Sequence, residues 1–181
     1  MKYMILSDLH GSALWCRRAM DALREEKADR LILLGDLLYH GPRNDLPGKY
    51  DPKQVIELLN AEKNRILCVR GNCDTEADQT VLEFPIMAPF ALMELEDRLM
   101  FMTHGHQWNA GRLPPLQPGD ILLHGHTHVP ECRKTGGIII MTPGSAAIPK
   151  SGSPCSYMTL ENGLFLWKNL SDGRETDRFR L

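Results

Sequence analysis

The sequence predicts a layered α/β fold in which two β-sheets pack face to face with helices outside them. Three observations predict it. Apolar strand-like runs alternate with amphipathic helical stretches as far as Val69, and from Pro85 the pattern changes to β-type segments joined by short turns. In addition, apolar runs repeatedly stop in carboxylate, amide or imidazole side chains, where ligands of open α/β sheets collect.

Residues 2–7 read as a buried first strand that runs into Asp8-Leu9-His10-Gly11. Ser12 is suited to cap a helix reaching to about Lys27, with Ala13, Cys16, Met20 and Leu23 near one face. Residues 30–34 form a second apolar strand, which stops at Gly35-Asp36. The turn-rich segment 39–48 is longer than a connection needs, which makes it a candidate substrate loop. Asp51-Pro52-Lys53-Gln54 has the cap, N1 proline and N3 glutamine of a helix start, and Val55, Ile56, Leu58 and Leu59 supply its apolar stripe.

A third strand over 65–69 leads into Arg70-Gly71-Asn72-Cys73-Asp74, and a short helix is expected over 76–82. Residues 86–95 and 98–103 read as strands, the second ending in His104-Gly105-His106. The run 120–124 closes in Gly125-His126-Thr127-His128. Gly136-Gly137 and Asn162-Gly163 then mark hairpin turns between 131–135 and 138–142 and between 156–160 and 164–170. Residues 174–181 are expected to add an edge strand. No repeat or linker divides the chain, so a single domain over 1–181 is expected.

The 181 residues are 43% hydrophobic and 24% charged, ordinary values for a soluble globular protein. A net charge of −2, with no block of Lys or Arg, argues against binding long nucleic acids by bulk attraction and leaves a small anionic substrate open. The apolar run at the N-terminus is too short for a signal or a membrane span, so a cytoplasmic protein with no membrane partner is expected. Five cysteines, Cys16, Cys68, Cys73, Cys132 and Cys155, are odd in number and include no Cys-x-x-Cys pair. That excludes neither thiol chemistry nor packing roles, but it points to reduced thiols rather than a disulfide framework or zinc knuckle.

Collected together, the strand-end residues are Asp8, His10, Asp36, Asn72, Asp74, His104, His106, His126 and His128. Histidines two apart in an extended segment project to one side about 7 Å apart, and such a pair can serve one ion or one ion each of a pair. Carboxylate, imidazole and amide donors without thiolate suit Mn, Fe, Zn, Ni or Co better than Ca or Mg. The donors exceed what one ion needs, and two ions about 3.5 to 4 Å apart would suit hydrolysis of a phosphate ester. Asn72, Cys73, Asp74 and His106 are the candidate catalytic residues, with Asp74 also read as orienting its loop. His40 and Arg43 are candidates for binding substrate phosphate, which a planar guanidinium suits. His124 is read as a satisfied packing residue.

Asp8-x-His10, Gly35-Asp36, Gly71-Asn72-Cys73-Asp74, the His104 motif and Gly125-His126-Thr127-His128 resemble, in order and approximate spacing, the signature of the calcineurin-like metallophosphoesterases. The resemblance covers nearly the whole chain. His40-Gly-Pro-Arg-Asn, Gly-Asn-Cys-Asp and Pro143-Gly-Ser145 resemble more closely the bacterial YfcE-type phosphodiesterases. The resemblance implies an αββα arrangement, with two packed mixed sheets flanked by helices. It also implies two divalent metal ions, manganese first and Zn, Fe, Ni or Co as alternatives, with a bridging hydroxide that attacks a small phosphodiester. Asp8, His10 and His128 would hold the first ion, Asn72, His104 and His126 the second, and Asp36 both.

One position departs from the family. Most members have His where this chain has Cys73, and a thiol of ordinary pKa is a poor substitute for imidazolium as a proton donor. Two other functions stay open: a non-catalytic protein-binding scaffold like the small retromer subunit, and a nuclease, which the lack of a basic surface opposes. A homo-oligomer is also left open.

Overall fold

The computed structural model describes residues 1–181. Its elements follow the alternation in the sequence: β1 (Lys2–Leu6), α1 (Ala13–Glu25), β2 (Arg30–Leu33), α2 (Pro52–Asn60), β3 (Ile66–Cys68) and a one-turn α3 (Glu76–Gln79). Strands then follow without helices: β4 (Phe90–Leu95), β5 (Arg98–Thr103), β6 (Ile121–His124), β7 (Pro130–Thr135), β8 (Ile138–Pro143), β9 (Ser156–Glu161), β10 (Leu164–Asn169) and β11 (Glu175–Arg180). Side-chain caps start the helices. Ser12 Oγ accepts from Trp15 N, Asp51 Oδ1 accepts from Gln54 N, and Thr75 and Asp78 cap each other.

The strands form a six-stranded sheet in the order β11-β10-β9-β1-β2-β3 and a five-stranded sheet in the order β4-β5-β6-β8-β7. β1, β2 and β3 run parallel in one sheet, as do β5, β6 and β8 in the other. Parallel neighbours deliver their carboxyl ends to one edge, which brings the loops after β1, β2, β3, β5 and β6 together.

Alternation along the strands sorts the apolar side chains into layers. Ile5, Ile32, Met158, Phe165 and Trp167 of one sheet pack against Met100, Met102, Ile121, Leu123, Ile139 and Met141 of the other. On the far side of the six-stranded sheet, Met4, Leu6, Leu31 and Leu33 bury against Met20 and Leu23 of α1 and Val55 and Leu59 of α2. The outer face of the five-stranded sheet differs. Phe101, Leu122, Ile138 and Ile140 are covered there by Trp108, Ala110, Leu113 and Leu116, which lie in an irregular segment. Pro114, Pro115, Pro118 and three glycines between 105 and 119 explain why this cover is not helical.

Two element boundaries also move. The strand expected from 86 begins at Phe90, because Pro85 and Pro89 lack the N–H a ladder needs. The helix expected to 82 is one turn long and ends at Gln79. Both glycine-rich hairpin turns form, with Gly136, Gly137, Asn162 and Gly163 at positive φ.

Trp167 ties the two sheets together, since its buried Nε1 on β10 donates to the Thr142 carbonyl on β8 at 2.7 Å. Trp167→Phe keeps most of the apolar volume and removes this bond, and should cost about 1 to 3 kcal/mol. A urea titration should show a lower midpoint at an unchanged slope; an unchanged midpoint would mean that the bond adds nothing to the packing.

Candidate metal centre

The chain leaves its parallel strands in an uncommon conformation. Asp8, His10, Asp36, His126 and His128 have φ of 60°, 47°, 57°, 69° and 61°, in the left-handed region that non-glycine residues rarely occupy. Each such residue costs on the order of 1 to 3 kcal/mol and persists only when its surroundings impose it. Two glycines make the room. A Cβ at Gly71 would lie 2.1 Å from Asp36 Oδ1, and one at Gly125 would lie 1.9 Å from Ser7 Oγ and 2.9 Å from Asp8 Oδ2.

These turns aim their side chains at a common point. Asp8 Oδ1 lies 3.1 Å from His128 Nε2 and 3.5 Å from His10 Nε2. Asp36 Oδ2 lies 3.6 Å from His10 Nε2 and 3.4 Å from His104 Nε2. His104 Nε2 is in turn 3.0 Å from Asn72 Oδ1 and 3.2 Å from His126 Nδ1. Within each of the sets Asp8, His10, His128 and Asp36, His104, His126, the donor atoms all fall within 4.8 Å of one another.

The second nitrogen of three of these rings fixes what the first can do. Nδ1 of His10, His104 and His128 donates to the carbonyls of Tyr39, Leu34 and Ile148 at 2.8, 2.7 and 2.9 Å. A carbonyl only accepts, so Nδ1 carries the proton and the neutral ring turns the Nε2 lone pair toward the carboxylates. Lone pairs then face lone pairs. Asp8 Oδ1 and His10 Nε2 are buried with no hydrogen-bond partner, an arrangement that a second proton on the ring or a metal cation relieves. The donor set therefore fits metal binding.

Protons show the same demand. Burial would lower the His104 pKa, but Asp36 and then Asp8 raise it to about 9. His10 is raised against its burial by Asp8 and Asp36. Burial would raise Asp8, yet His10 and His128 hold it well below the usual carboxylate range, and His104 does the same for Asp36. His126 goes the other way: burial, and then the charge on His104, push it down to about 4.

The remaining candidates separate. Asp74 does not face the centre, and its role is positional rather than catalytic. Its Oδ2 accepts from Asp36 N and Gly71 N at 2.8 and 2.7 Å, and its Oδ1 accepts from Leu37 N at 2.9 Å. It thereby clamps the Asp36 turn to the Gly71 turn. Cys73 is buried with Sγ close to His10 and Asp36. Burial, and then Asp36, push its thiol up to about 12, so it is protonated at neutral pH and is neither a thiolate ligand nor a ready acid. His106 is exposed at the rim, its ring 5.5 Å from that of His104. Partial burial, and then His104, lower its pKa, which leaves it uncharged at neutral pH.

Arg43 lines a cleft of about 340 Å³ together with His10, Asp36, Asn72 and His128. His40 does not line that cleft; its ring packs edge-on against Tyr39 and Tyr50. Asn44 and Lys150 do line it and were not singled out by the sequence reading. Asn44 lay within the flagged loop, whereas Lys150 has no sequence signal beyond a lone cation in the loop after Pro143-Gly144-Ser145. Lys150 is placed by its backbone N–H, which donates to the His128 carbonyl. His124 packs as expected, but only Nδ1 has a contact, to Gly125 O at 2.9 Å, and the buried Nε2 has none.

Comparison with known proteins gives the arrangement a context. The family model described as the calcineurin-like phosphoesterase superfamily domain matches residues 1–163. The chain is 44% identical over 172 residues to phosphodiesterase YfcE of Escherichia coli K12, covering 95% of this chain and 94% of that protein. It is 26% identical over 167 residues to phosphodiesterase MJ0936 of Methanocaldococcus jannaschii, covering 88% and 87%. The solved structure of the E. coli phosphoesterase YfcE superimposes with a TM-score of 0.96 at 42% identity over 99% of both chains. Vps29 of Entamoeba histolytica, solved with zinc, has the same fold at a TM-score of 0.62 and 20% identity, over 99% of both chains.

The shifted histidines set the pH dependence of the metal-free protein. His104, raised from 6.5 to about 9, contributes stability that is complete below 6.5 and lost as pH rises through 9. His126, lowered to about 4, contributes stability that is present above 6.5 and lost as pH falls through 4. The Tm of metal-free protein should therefore peak near pH 6.5, and His104→Gln should flatten the alkaline limb. A Tm that rose steadily from pH 6.5 to 9 would contradict these assignments.

Proposed function

The chain belongs to the calcineurin-like phosphoesterase superfamily, and from that membership we propose that it is a phosphodiesterase working on small diesters with a binuclear centre of divalent ions, manganese first. The observation that carries this reading is the convergence of two sets of donor atoms on either side of Asp36, with Asp8 Oδ1 and His10 Nε2 buried and unpaired. Asp8, His10 and His128 would hold one ion, Asn72, His104 and His126 the other, and Asp36 both. Such ions, when bound, acidify a water into the attacking hydroxide and neutralise charge on the phosphoryl oxygens.

The chain's own groups do the rest. The Nδ1–carbonyl bonds hold each imidazole in the tautomer that offers Nε2. Asp74 fixes the separation of the Asp36 and Asn72 turns. Arg43 and Lys150 place positive charge along the cleft where a phosphate would enter. A thiol at position 73 is a poorer proton donor than an imidazolium, so departure favours groups that are stable as anions.

A protein-binding scaffold has no need for seven complete donors held at this strain. A nuclease would need a basic surface, and a cleft of about 340 Å³ in a chain of net charge −2 suits a small substrate better. No helix is long and apolar enough to cross a membrane, and the five free cysteines support a cytoplasmic setting.

Hydrolysis of bis(p-nitrophenyl) phosphate tests the reading. Chelator-treated enzyme should be inactive and recover best with Mn²⁺. Asp36→Asn should lose more than the roughly 10- to 100-fold that removing a supporting residue costs. Turnover by metal-free enzyme, or full activity in the Asn variant, would overturn the mechanism.

Cys73→His should restore a proton donor. Across diesters of graded leaving-group pKa, kcat/KM should gain most for alkyl leaving groups, by roughly 10²-fold or more, and little for aryl ones. Equal slopes for the two enzymes would show that position 73 takes no part in protonation.

A further inference from the structure

Asn72 stands between two clefts. On one side is the cleft lined by Arg43 and Lys150; on the other is a separate cleft of about 420 Å³ lined by Arg70, Met87, Pro89, His106 and Gln107. The second cleft contains a cation and no carboxylate. Arg70 is half-buried, and its Nε donates to the Asp74 carbonyl at 3.2 Å, which fixes the guanidinium by its base. No acidic side chain forms a salt bridge with it, unlike Arg24, Arg65, Arg98, Arg133 and Arg178. Its terminal nitrogens are thus free in a partly desolvated cleft beside the centre, and Met87 and Pro89 give that cleft an apolar wall.

A phosphodiester carries two arms on its phosphorus, and the charge of the phosphate itself already meets the centre, Arg43 and Lys150. Arg70 is a surplus cation on the other flank. A fixed guanidinium with two free N–H edges matches an oxyanion in bidentate geometry. We infer that the Arg70 cleft is a subsite for a substrate arm bearing a second oxyanion, and that Arg70 determines specificity for it. The inference rests on the diesterase reading for its substrate class, and it narrows that class to diesters with an additional carboxylate or phosphate on one arm.

The test uses the metal-loaded enzyme and two substrates of nearly one shape, p-nitrophenyl 3-carboxyphenyl phosphate and its 3-carbamoyl twin, with a 3-phosphonophenyl arm in parallel to tell which oxyanion is preferred. The readout is the ratio of kcat/KM for the anionic arm to that for the carboxamide arm, taken within each variant, so that any general disturbance of the Asp74 turn cancels. The wild-type protein should favour the anionic arm by about 10- to 100-fold, the range of a hydrogen bond to a charged group. Arg70→Ala should bring the ratio close to unity, and Arg70→Lys should retain part of it. A wild-type ratio at or below unity, or an unchanged ratio in Arg70→Ala, would overturn the subsite. Calorimetry with the corresponding methylene phosphonates, which are not hydrolysed, repeats the comparison without chemistry. An Arg70-dependent preference in binding with no turnover of any diester would uphold the subsite and remove the diesterase reading instead.

Discussion

Lone pairs that face one another across a dry centre are the constraint from which much of this structure follows. Asp8 Oδ1 and Asp36 Oδ2 are buried among imidazoles whose Nδ1 protons are committed to carbonyls, so Nε2 meets the carboxylates with a lone pair unless the ring takes up a second proton. In a low dielectric such an arrangement is unfavourable until positive charge enters. The left-handed turns at five of these residues belong to the same account. Their strain serves no packing purpose, and it is what brings donors from separate strands within reach of one point.

Holding that arrangement requires clamps on the main chain around it. Asp74 is one, because three backbone N–H groups from two different turns converge on its carboxylate. Ser145 is another: its hydroxyl donates to the Asp8 carbonyl and accepts from Ala147 N and Ile148 N, so the loop that supplies the carbonyl for His128 is tied to the turn that supplies Asp8. The carbonyls of Leu34 and Tyr39 do the corresponding work across the gap between sheets and along the substrate loop. Asp74 and Tyr39 join strand ends within the six-stranded sheet, while Leu34 and Ser145 bridge to those of the other, so the centre is positioned by both sheets together.

This explains why so much of the site was readable from residues alone. A buried strand reads as a short apolar run, and a polar residue that ends such a run conflicts with the hydrophobic pattern unless it has a ligand or a partner, so Asp8, Asp36, His104 and His126 stand out. What could not be read depends on direction rather than identity. His40 is a candidate in sequence beside Arg43, yet its ring packs against Tyr39 and Tyr50, while Lys150, with no such signal, is set at the cleft by its backbone bond to His128. Asp74 shares a strand end with Asn72 and is read from sequence both as a catalytic candidate and as orienting its loop; the three N–H contacts favour the second. The cover of the five-stranded sheet was hidden for a different reason, since Trp108, Leu113 and Leu116 sit among prolines and glycines with no period to reveal the face they bury.

Cys73 shows how far the electrostatics of the centre extend beyond its donors. Its backbone N–H donates to Asp36 Oδ1 at 2.8 Å, so this residue is bound to the carboxylate that lies between His10 and His104. Being small and uncharged, the thiol adds no positive charge there, whereas an imidazolium at this position would compete with a cation for Asp36 and Asp8. Burial, and after it the negative field of Asp36, raise the thiol to about 12; on an imidazole the field would act upward and burial downward. With Cys73 the position holds no second positive charge, so a cation at the centre meets Asp36 and Asp8 without a competitor there.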